Sequence, residues 1–146
     1  EVARRASAAV GPGRSVRSPV VFLSRTRDAN RLLTNEAEVI ATLRQRFPEL
    51  DVFYSGTATV EEQIQRMGAA DIVISTYGAQ AMNMVWATKM RRFVEISFYT
   101  RSEFQALART LGASGHGVSS RAVNAGDHYT DHECDIANLD AVLRTL

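Results

Sequence analysis

Three arginines lie close together in the stretch SRTRDANR, which overlaps the end of an apolar run. They are Arg25, Arg27 and Arg31. Each arginine presents a planar fork of N–H donors that matches the oxygens of a phosphate or a carboxylate. Such a grouping has the composition of an anion site, and the competing interpretation is a solvated basic loop. Charge alone favours the loop, so the anion site needs support from the surrounding elements.

The turn in STYGAQ, residues 75–80, is a second place where a phosphate could bind. Gly78 permits a positive φ or a close approach of the backbone to a ligand. A helix that begins after the turn would direct free N–H groups and its positive dipole end at an anion. The chain contains neither the dinucleotide pattern G-x-G-x-x-G nor the P-loop pattern G-x-x-x-x-G-K-[ST]. A phosphate corner and an ordinary helix start are both compatible with this turn.

The stretch DHYTDHECD, residues 127–135, raises the question of a metal. His128, His132 and Cys134 are residue types that ligate zinc, but their spacing matches no standard zinc-finger or metalloprotease pattern. We predict no metal site and a solvated loop that leads into the last helix, with Asp135 as its cap. The chain also lacks a G-x-S-x-G elbow, so no covalent nucleophile is predicted and the catalytic residues stay unknown.

Strand-like apolar runs alternate with helical patterns from Pro19 to the end of the chain. The predicted strands cover residues 20–25, 51–56, 71–75, 92–97 and 115–120. The predicted helices cover residues 35–47, 59–69, 79–90, 102–112 and 135–146. Strands that alternate with helices over short connections form crossover units around a parallel sheet. The sequence therefore predicts a Rossmann-like, doubly wound α/β fold.

Two further helix starts have recognisable capping residues. Thr59 and Glu62 have the spacing of a capping box, in which each side chain bonds the backbone N–H of the other residue. Ser102 is predicted to be the N-cap of the next-to-last helix, which ends near Gly112.

In a doubly wound sheet, ligands bind at the carboxyl ends of the strands, near the point where the strand order reverses. The predicted strands place six polar residues at that edge: Ser24, Arg25, Ser75, Thr76, Tyr77 and Ser97. The edge therefore includes the first arginine of the cluster and the start of the STYGAQ turn. An anion site at this edge is a sensible expectation for both features.

The composition is typical of a globular protein, because 45% of the 146 residues are hydrophobic and 23% are charged. No apolar run reaches the ~20 residues of a membrane span. The net charge of +1 predicts no general attraction to nucleic acid or lipid. We divide the chain into a basic arm rich in Ala, Gly, Ser and Arg, residues 1–18, and a single α/β domain, residues 19–146.

Residues 2–27 contain six arginines and no acidic residue. Three interpretations of this basic arm stay open: a solvated linker, an arm that lies on a partner protein or RNA, and the remnant of an organellar targeting segment.

Five blocks of sequence, taken in order, resemble the carboxyl-terminal half of glycosyltransferase family 61. The blocks are VVFLSRTRDANR, NEAEVIATL, TVEEQIQRMGAADIVI, STYGAQAMNMVW and RFVEISF. In the family they correspond to a strand followed by arginines, an Asn-Glu helix start, a Glu-Gln pair, a His-Gly-Ala-Gly-Leu-Thr-Asn loop and a strand that carries a glutamate. Single blocks are weak signals, but five in order are specific.

The resemblance implies a GT-B glycosyltransferase, which is built from two Rossmann-like halves, and identifies this chain with the donor-binding half. It implies a UDP-sugar as donor and no required metal or other cofactor. Arg25 and Arg31 would face the donor diphosphate, and Gly78 would shape the turn beneath it. The full set of donor-site positions that the resemblance implies is Arg25, Arg31, Asn35, Glu36, Gln63, Tyr77, Gly78, Ala79, Gln80, Asn83 and Glu95.

The loop departs from the family pattern at four of its seven positions. Tyr77 stands where the family has His, Gln80 stands where it has Gly, and Ala81 and Met82 replace Leu-Thr. The first change removes a near-neutral base, and the second adds a side chain where backbone was expected to approach a ligand. The family's amino-terminal half, which brings the acceptor, has no counterpart in this chain.

Two functions of different classes follow from the resemblance. The chain is either the donor-binding half of an inverting glycosyltransferase, inactive when isolated, or a non-catalytic subunit of a larger assembly that reuses the fold. The partners are then the missing half or other protein subunits, with residues 2–27 lying on one of them. The first function implies the secretory pathway, in the endoplasmic reticulum or Golgi. The second fits an organelle such as the mitochondrion.

Overall fold

The computed structural model describes residues 18–25, 30–99 and 102–146. All of the predicted arm except Ser18 lies outside these ranges, as does Arg27. Ser18 itself is buried, and its hydroxyl donates to the Glu49 carbonyl at 2.6 Å.

The described residues form a six-stranded sheet with the strand order β2-β1-β3-β4-β5-β6. The strands are β1 (Val20–Ser24), β2 (Asp51–Tyr54), β3 (Ile72–Thr76), β4 (Arg92–Ser97), β5 (Ser114–Ala122) and β6 (His132–Cys134). The first five strands are parallel, and β6 runs antiparallel to β5. The predicted mixed α/β fold around a largely parallel sheet is confirmed, and its arrangement is Rossmann-like.

The described residues also form four α-helices and two 3₁₀ segments, of which the last α-helix follows β6 and the others connect strands. The α-helices are α1 (Glu36–Arg46), α2 (Val60–Met67), α3 (Glu103–Thr110) and α4 (Ile136–Leu143), and the 3₁₀ segments are Ser55–Thr57 and Ala79–Trp86. The capping box of Thr59 and Glu62 is confirmed, as are the side-chain caps that Ser102 and Asp135 provide for α3 and α4. None of the helices in the described ranges is long and apolar enough to cross a lipid bilayer.

The sheet is covered on both faces, which explains the unbroken apolar character of its central strands. On one face α1 and α4 bury Leu43 and Leu139 against Phe22 of β1. On the other face α2, α3 and the 3₁₀ helix Ala79–Trp86 pack residues such as Met84 against β3 and β4. All five residues of β1 and of β3 are buried, as expected of strands inside a parallel sheet. Each large apolar side chain buried in this way contributes about 1.5–3 kcal/mol.

The helix predicted at residues 79–90 is present only in part, because the segment Ala79–Trp86 is a 3₁₀ helix and no helix continues to residue 90. Its ladder consists of short-range bonds, as between the Ala81 N–H and the Gly78 carbonyl at 2.9 Å. The Asn83 side chain donates to the Gln80 carbonyl at 3.0 Å, so an amide side chain competes with the backbone for that acceptor. Small and apolar residues gave this segment a helical pattern without fixing the type of helix.

The predicted solvated loop at residues 127–135 is wrong in its second half. Residues 132–134 form strand β6, and the side chain of His132 is completely buried. The strand is only three residues long, and it pairs with the end of β5 and, through an isolated bridge, with Leu33. A period-two pattern cannot be recognised over so few residues, so β6 has no local signal in the sequence.

Candidate functional site

The strand order reverses between β1 and β3, and the chain leaves these two neighbours toward opposite faces of the sheet. After β1 it passes to α1 on one face, and after β3 it passes to the 3₁₀ helix Ala79–Trp86 on the other. A crevice opens at such a switch point, outside the carboxyl ends of the strands. Arg25 follows β1 and Tyr77 follows β3, so both candidate features of the sequence meet here.

The guanidinium of Arg25 is bound to the turn that follows β3. Its Nη1 donates to the side-chain oxygen of Gln80 at 2.9 Å and to the Tyr77 carbonyl at 3.2 Å. Gln80 is itself oriented by two bonds from its amide nitrogen to Thr76, at 3.0 Å to the carbonyl and 2.7 Å to the hydroxyl. A Cβ at Gly78 would overlap Arg25 Nη1, and Gly78 also has a φ of 151°. The glycine is therefore required because the arginine lies directly against its α-carbon.

The guanidinium of Arg31 lies between two tyrosine rings. Its Cζ is 5.4 Å from the ring centroid of Tyr77 and 5.0 Å from that of Tyr129. Both distances are within the range of cation–π attraction. The backbone of Arg31 adopts the left-handed conformation, with a φ of 63°, which is uncommon for a residue other than glycine. Strain of this kind persists only where the surroundings impose it.

Two positive charges, those of Arg25 and Arg31, share this corner. Neither Arg25 nor Arg31 forms an ion pair within the described ranges, and the Nε–H group of each is buried without a hydrogen-bond partner there. Burial lowers the pKa of Arg25, and the charge of Arg31 lowers it further. Buried polar groups normally have partners, so donors without one are suited to an incoming anion.

The backbone that carries Arg31 is held by β6 and the residue before it. The Leu32 N–H donates to Asp131 Oδ1 at 2.9 Å, and the Leu32 carbonyl accepts from the His132 N–H at 2.9 Å. The His132 carbonyl in turn accepts from the Thr34 N–H at 2.9 Å. We call residues 129–134 the strap, because they tie the arginine-bearing segment to the sheet.

Asn35 belongs to the same attachment. Its side chain brackets the backbone of Cys134, accepting from the N–H at 2.9 Å and donating to the carbonyl at 3.0 Å. Asn35 does occupy the N-cap position of α1, but its side chain makes no cap hydrogen bond. The residue therefore fastens the strap, and its amide is already committed.

His132 is the buried centre of the strap. Its Nδ1 lies 2.7 Å from the Ser120 hydroxyl, and its ring contacts Phe98 edge-on at 5.4 Å. Burial lowers the pKa of His132 to about 4, and the charges of Arg25 and Arg31 act in the same direction, while a backbone hydrogen bond and Asp131 oppose the shift. The imidazole is therefore neutral near pH 7.

Tyr77 stands at the loop position where the resemblance implies a histidine, and neighbouring side chains hold both its hydroxyl and its ring. Its hydroxyl donates to Glu103 Oε1 at 2.7 Å, and its ring packs against Tyr99 and Phe104. The hydrogen bond to Glu103, followed by burial, raises the pKa of Tyr77 to about 12. The phenol is thus no base near neutral pH, and its ring serves to support Arg31.

Glu36 lies on an open cleft of about 620 Å³ beside Arg25, at the carboxyl ends of β1 and β2. Its Oε2 accepts from the Ser24 hydroxyl at 2.7 Å, and its Oε1 has a 3.5 Å contact with the Tyr54 hydroxyl. Arg25, Leu32 and Tyr54 also line this cleft. The structure therefore joins the predicted Arg25 and Glu36 in one cavity.

The other predicted positions have partners within the domain. Gln63 donates to the carbonyls of Ser55 and Ala58 and closes the loop after β2. Ala79 is exposed, and Asn83 is buried against the Gln80 carbonyl.

Glu95 is completely buried in β4 and accepts from the Gln105 side chain at 3.1 Å. Burial raises its pKa, against the effect of hydrogen bonds from Ser102 and Gln105.

Sequence reasoning missed three residues at the corner: Tyr54, Tyr129 and Asp131. Tyr54 was predicted only as part of a strand, and the other two lie in the stretch that was considered as a metal site. Within the described ranges, no group of three histidine, cysteine or carboxylate side chains lies close enough together to hold a metal ion. Burial also raises the pKa of Cys134 to about 12, so its thiol is not a ready metal ligand or nucleophile.

Comparison with known protein families gives a match. A family model described as Glycosyltransferase 61 matches residues 1–94. A search of curated proteins finds no match. The matched range includes both arginines, the cleft residue Glu36 and the whole of β3 with its turn, and it ends inside β4. The strap lies outside the match, although it holds Arg31.

Proposed function

Because the chain belongs to glycosyltransferase family 61, we propose that it derives from the half of an inverting GT-B glycosyltransferase that binds the UDP-sugar donor. Arg25 and Arg31 are the residues that would face the donor diphosphate. The observation that carries this proposal is the pair of guanidinium groups at the switch point, neither of which forms an ion pair with a described residue. Sheets of this kind bind phosphorylated ligands at that position.

The chemistry of a diphosphate matches this corner. Its oxygens are acceptors only, and arginine N–H groups are donors only, so each contact is a charge-assisted hydrogen bond. Such a bond contributes about 1.5–3 kcal/mol, roughly twice a neutral one. Two arginines can therefore hold a UDP-sugar without a metal ion, as the family resemblance implies.

Turnover by this chain alone is not expected. A GT-B enzyme works in the cleft between two halves, and the described residues form a single sheet of the kind that builds one half. The residues at the corner do not supply a base, because the Tyr77 pKa is about 12 and Glu95 is completely buried. The proposed partner is a second half or another subunit, and the donor-binding function would place the protein in the secretory pathway.

A second candidate is a non-catalytic subunit of a larger, organellar assembly. The observation in its favour is the hydrogen bond from Arg25 to the side chain of Gln80, which stands at the loop position where the family has glycine. Gln80 thereby accepts a hydrogen bond that Arg25 would otherwise donate to a ligand. This candidate and the first differ in one measurable property, which is affinity for UDP.

Calorimetric titration of UDP into the full 146-residue chain tests the proposal. We expect saturable binding that weakens at least tenfold in Arg31→Ala, since about 1.4 kcal/mol corresponds to tenfold. Arg44→Ala is the matched control, because Arg44 is exposed in the last turn of α1, away from the carboxyl edge. Absence of heat at millimolar UDP would reject the donor-binding function and favour the structural subunit.

A further inference from the structure

Glu95 lies inside the domain, although the family resemblance implies a place in the donor site. Its side chain has no exposed surface, and its neighbours in the sheet are Ser75 of β3 and Gly117 of β5. A completely buried side chain cannot contact a ligand at the carboxyl edge. Its Oε2 accepts from Gln105 Nε2 at 3.1 Å, and its Oε1 has no hydrogen-bond partner among the described residues. A buried carboxyl group costs free energy unless it has partners, so the bond from Gln105 matters to the fold.

Two glycines of β5 leave the room that Gln105 needs in order to reach Glu95. A Cβ at Gly115 would lie 3.1 Å from both the Cβ and the carbonyl oxygen of Gln105. A Cβ at Gly117 would lie 3.2 Å from Gln105 Nε2. Glycine weakens the interior of a strand, and it often marks a site where another backbone approaches closely. These two glycines therefore set how closely α3 can approach the sheet.

The first turn of α3 connects this contact to the arginine corner. Ser102, the N-cap, accepts from the Gln105 N–H at 3.1 Å. The next residue, Glu103, accepts from the Tyr77 hydroxyl at 2.7 Å. The ring centroid of Tyr77 is in turn 5.4 Å from Arg31 Cζ. A single turn of helix is thus bonded to the interior of the sheet through Gln105 and to the corner through Glu103.

We propose that Glu95 and Gln105 are positioning residues, whose hydrogen bond fixes the first turn of α3 and thereby holds Tyr77 against Arg31. Neither residue contacts a ligand. Their effect on UDP affinity rests on the proposed function, whereas their effect on Tyr77 is a property of the fold alone. Spatial proximity does not establish such a connection, so the test must measure the coupling between its two ends.

The tyrosine ¹³Cζ resonances of the full chain near neutral pH test the proposal without any ligand, because this carbon responds to the hydrogen bond of the hydroxyl. The chain has four tyrosines, and Tyr77→Phe identifies the resonance of Tyr77. Gln105→Ala removes the bond to Glu95 and should shift the Tyr77 resonance. Glu95→Gln keeps an acceptor oxygen and should leave it unchanged. The resonance of Tyr54, which lies on the edge strand β2, is the internal control and should not move.

Calorimetric titration of UDP then measures the coupling. Gln105→Ala should weaken UDP binding about fivefold, the magnitude of one neutral hydrogen bond, and Glu95→Gln should stay within about twofold of the wild-type protein. In a Tyr77→Phe background, Gln105→Ala should have no further effect. Arg109→Ala is the matched control, because Arg109 is exposed in the last turn of the same helix, and it should leave UDP affinity unchanged.

Gly115→Ala tests the same contact without altering either polar side chain. The new Cβ should push α3 away from β5 and shift the Tyr77 resonance, as Gln105→Ala does. An unchanged Tyr77 resonance in both variants would overturn the proposal, whether or not UDP binds. Full additivity of Gln105→Ala and Tyr77→Phe in UDP affinity would overturn it as well, because α3 would then act by another route. A shifted resonance in a chain that binds no UDP supports the positioning role and rejects only the proposed function.

Discussion

Arg25 and Arg31 lie at the same edge of the sheet, but their guanidinium groups are held in different ways. Arg25 uses Nη1 for two hydrogen bonds, to Gln80 and to the Tyr77 carbonyl. Arg31 is held by the faces of two tyrosine rings, which attract its charge but accept no conventional hydrogen bond from its N–H groups in the plane of the guanidinium. Among the described residues, Arg31 therefore retains N–H donors for a ligand, whereas Arg25 donates from Nη1 to Gln80 and to the Tyr77 carbonyl.

The two regions also differ in what supports them. The Arg25 region is built within the matched range of the family, from β1 and the turn after β3. The Arg31 region depends on the strap, which the family match does not reach. A site that resembles the family in its local blocks therefore relies on a distant segment of the chain for the geometry of its more available arginine.

The largest effect that we expect is a loss of stability in acid, because His132 is buried in its neutral form next to the Arg31 segment and protonation opposes that burial. The pKa of His132 is about 4 in the fold and 6.5 when unperturbed. The contribution of neutral His132 to the free energy of unfolding is thus complete above pH 6.5 and is lost as the pH falls toward 4. The loss amounts to about 3 kcal/mol, at about 1.4 kcal/mol per pKa unit. Urea unfolding at several pH values measures it.

The control for this prediction separates His132 from the other groups that titrate in acid. His132→Asn should flatten the profile between pH 6.5 and 4, whereas His128→Asn, at an exposed position of the same stretch, should leave its slope unchanged. Equal slopes in both variants would show that the strap does not depend on the neutral imidazole.

Substitution of Gly78 tests the packing of Arg25. Gly78→Ala should cost about 2 kcal/mol, because the new Cβ overlaps Arg25 Nη1 and the residue must also keep an unfavourable φ. Gly112→Ala is the control, with a φ of 88° and open space around its Cβ, and should cost about 1 kcal/mol from backbone strain alone. Equal unfolding free energies for the two variants would mean that Arg25 is not held against the turn.

Release of Arg25 from Gln80 should strengthen anion binding. Gln80→Ala removes one of the two acceptors of Arg25 Nη1, and we expect pyrophosphate affinity to rise roughly tenfold, the magnitude of one hydrogen bond. Gln80→Glu should act in the opposite direction, because a carboxylate pairs with the guanidinium and repels the anion. If both substitutions shift the calorimetric affinity in the same direction, Gln80 does not compete with the ligand.

The smallest effect is expected from the strap. Asp131→Ala removes the acceptor of the Leu32 N–H. It should weaken UDP binding about threefold, because the backbone that carries Arg31 is then held less firmly. Asp131→Asn keeps an acceptor oxygen and should restore most of that affinity. In an Arg31→Ala background, Asp131→Ala should have no further effect. Full additivity of the two substitutions would show that Asp131 acts elsewhere.

Local signals predicted the sheet, the caps and the position of the corner. The apolar runs of β1 and β3 and the box of Thr59 and Glu62 are complete within a few residues, so the sequence displays them directly. The carboxyl edge then followed from the rule for parallel sheets. That Arg25 and the turn after β3 lie in contact is therefore a result that the sequence could supply.

Long-range contacts explain what the sequence could not supply. Strand β6 is too short to show a pattern. Tyr129 contacts Arg31 although the two residues lie far apart along the chain. Whether Gln80 faces solvent or Arg25 depends on side-chain packing, which no spacing rule describes. The same holds for the 3₁₀ form of Ala79–Trp86, where a single Asn83 side chain alters the hydrogen bonding of a segment that has a helical pattern.

The most direct test of the difference between the two arginines is to follow their Nε–H resonances by ¹⁵N–¹H spectroscopy while UDP is added, with assignments from Arg25→Lys and Arg31→Lys. Both Nε–H groups are buried and have no partner among the described residues, so each reports on its own guanidinium. We predict a saturable shift of the Arg31 resonance and a small one of the Arg25 resonance, which grows in Gln80→Ala. A larger shift at Arg25 in the wild-type protein, or no shift at either resonance with millimolar UDP, would contradict the account.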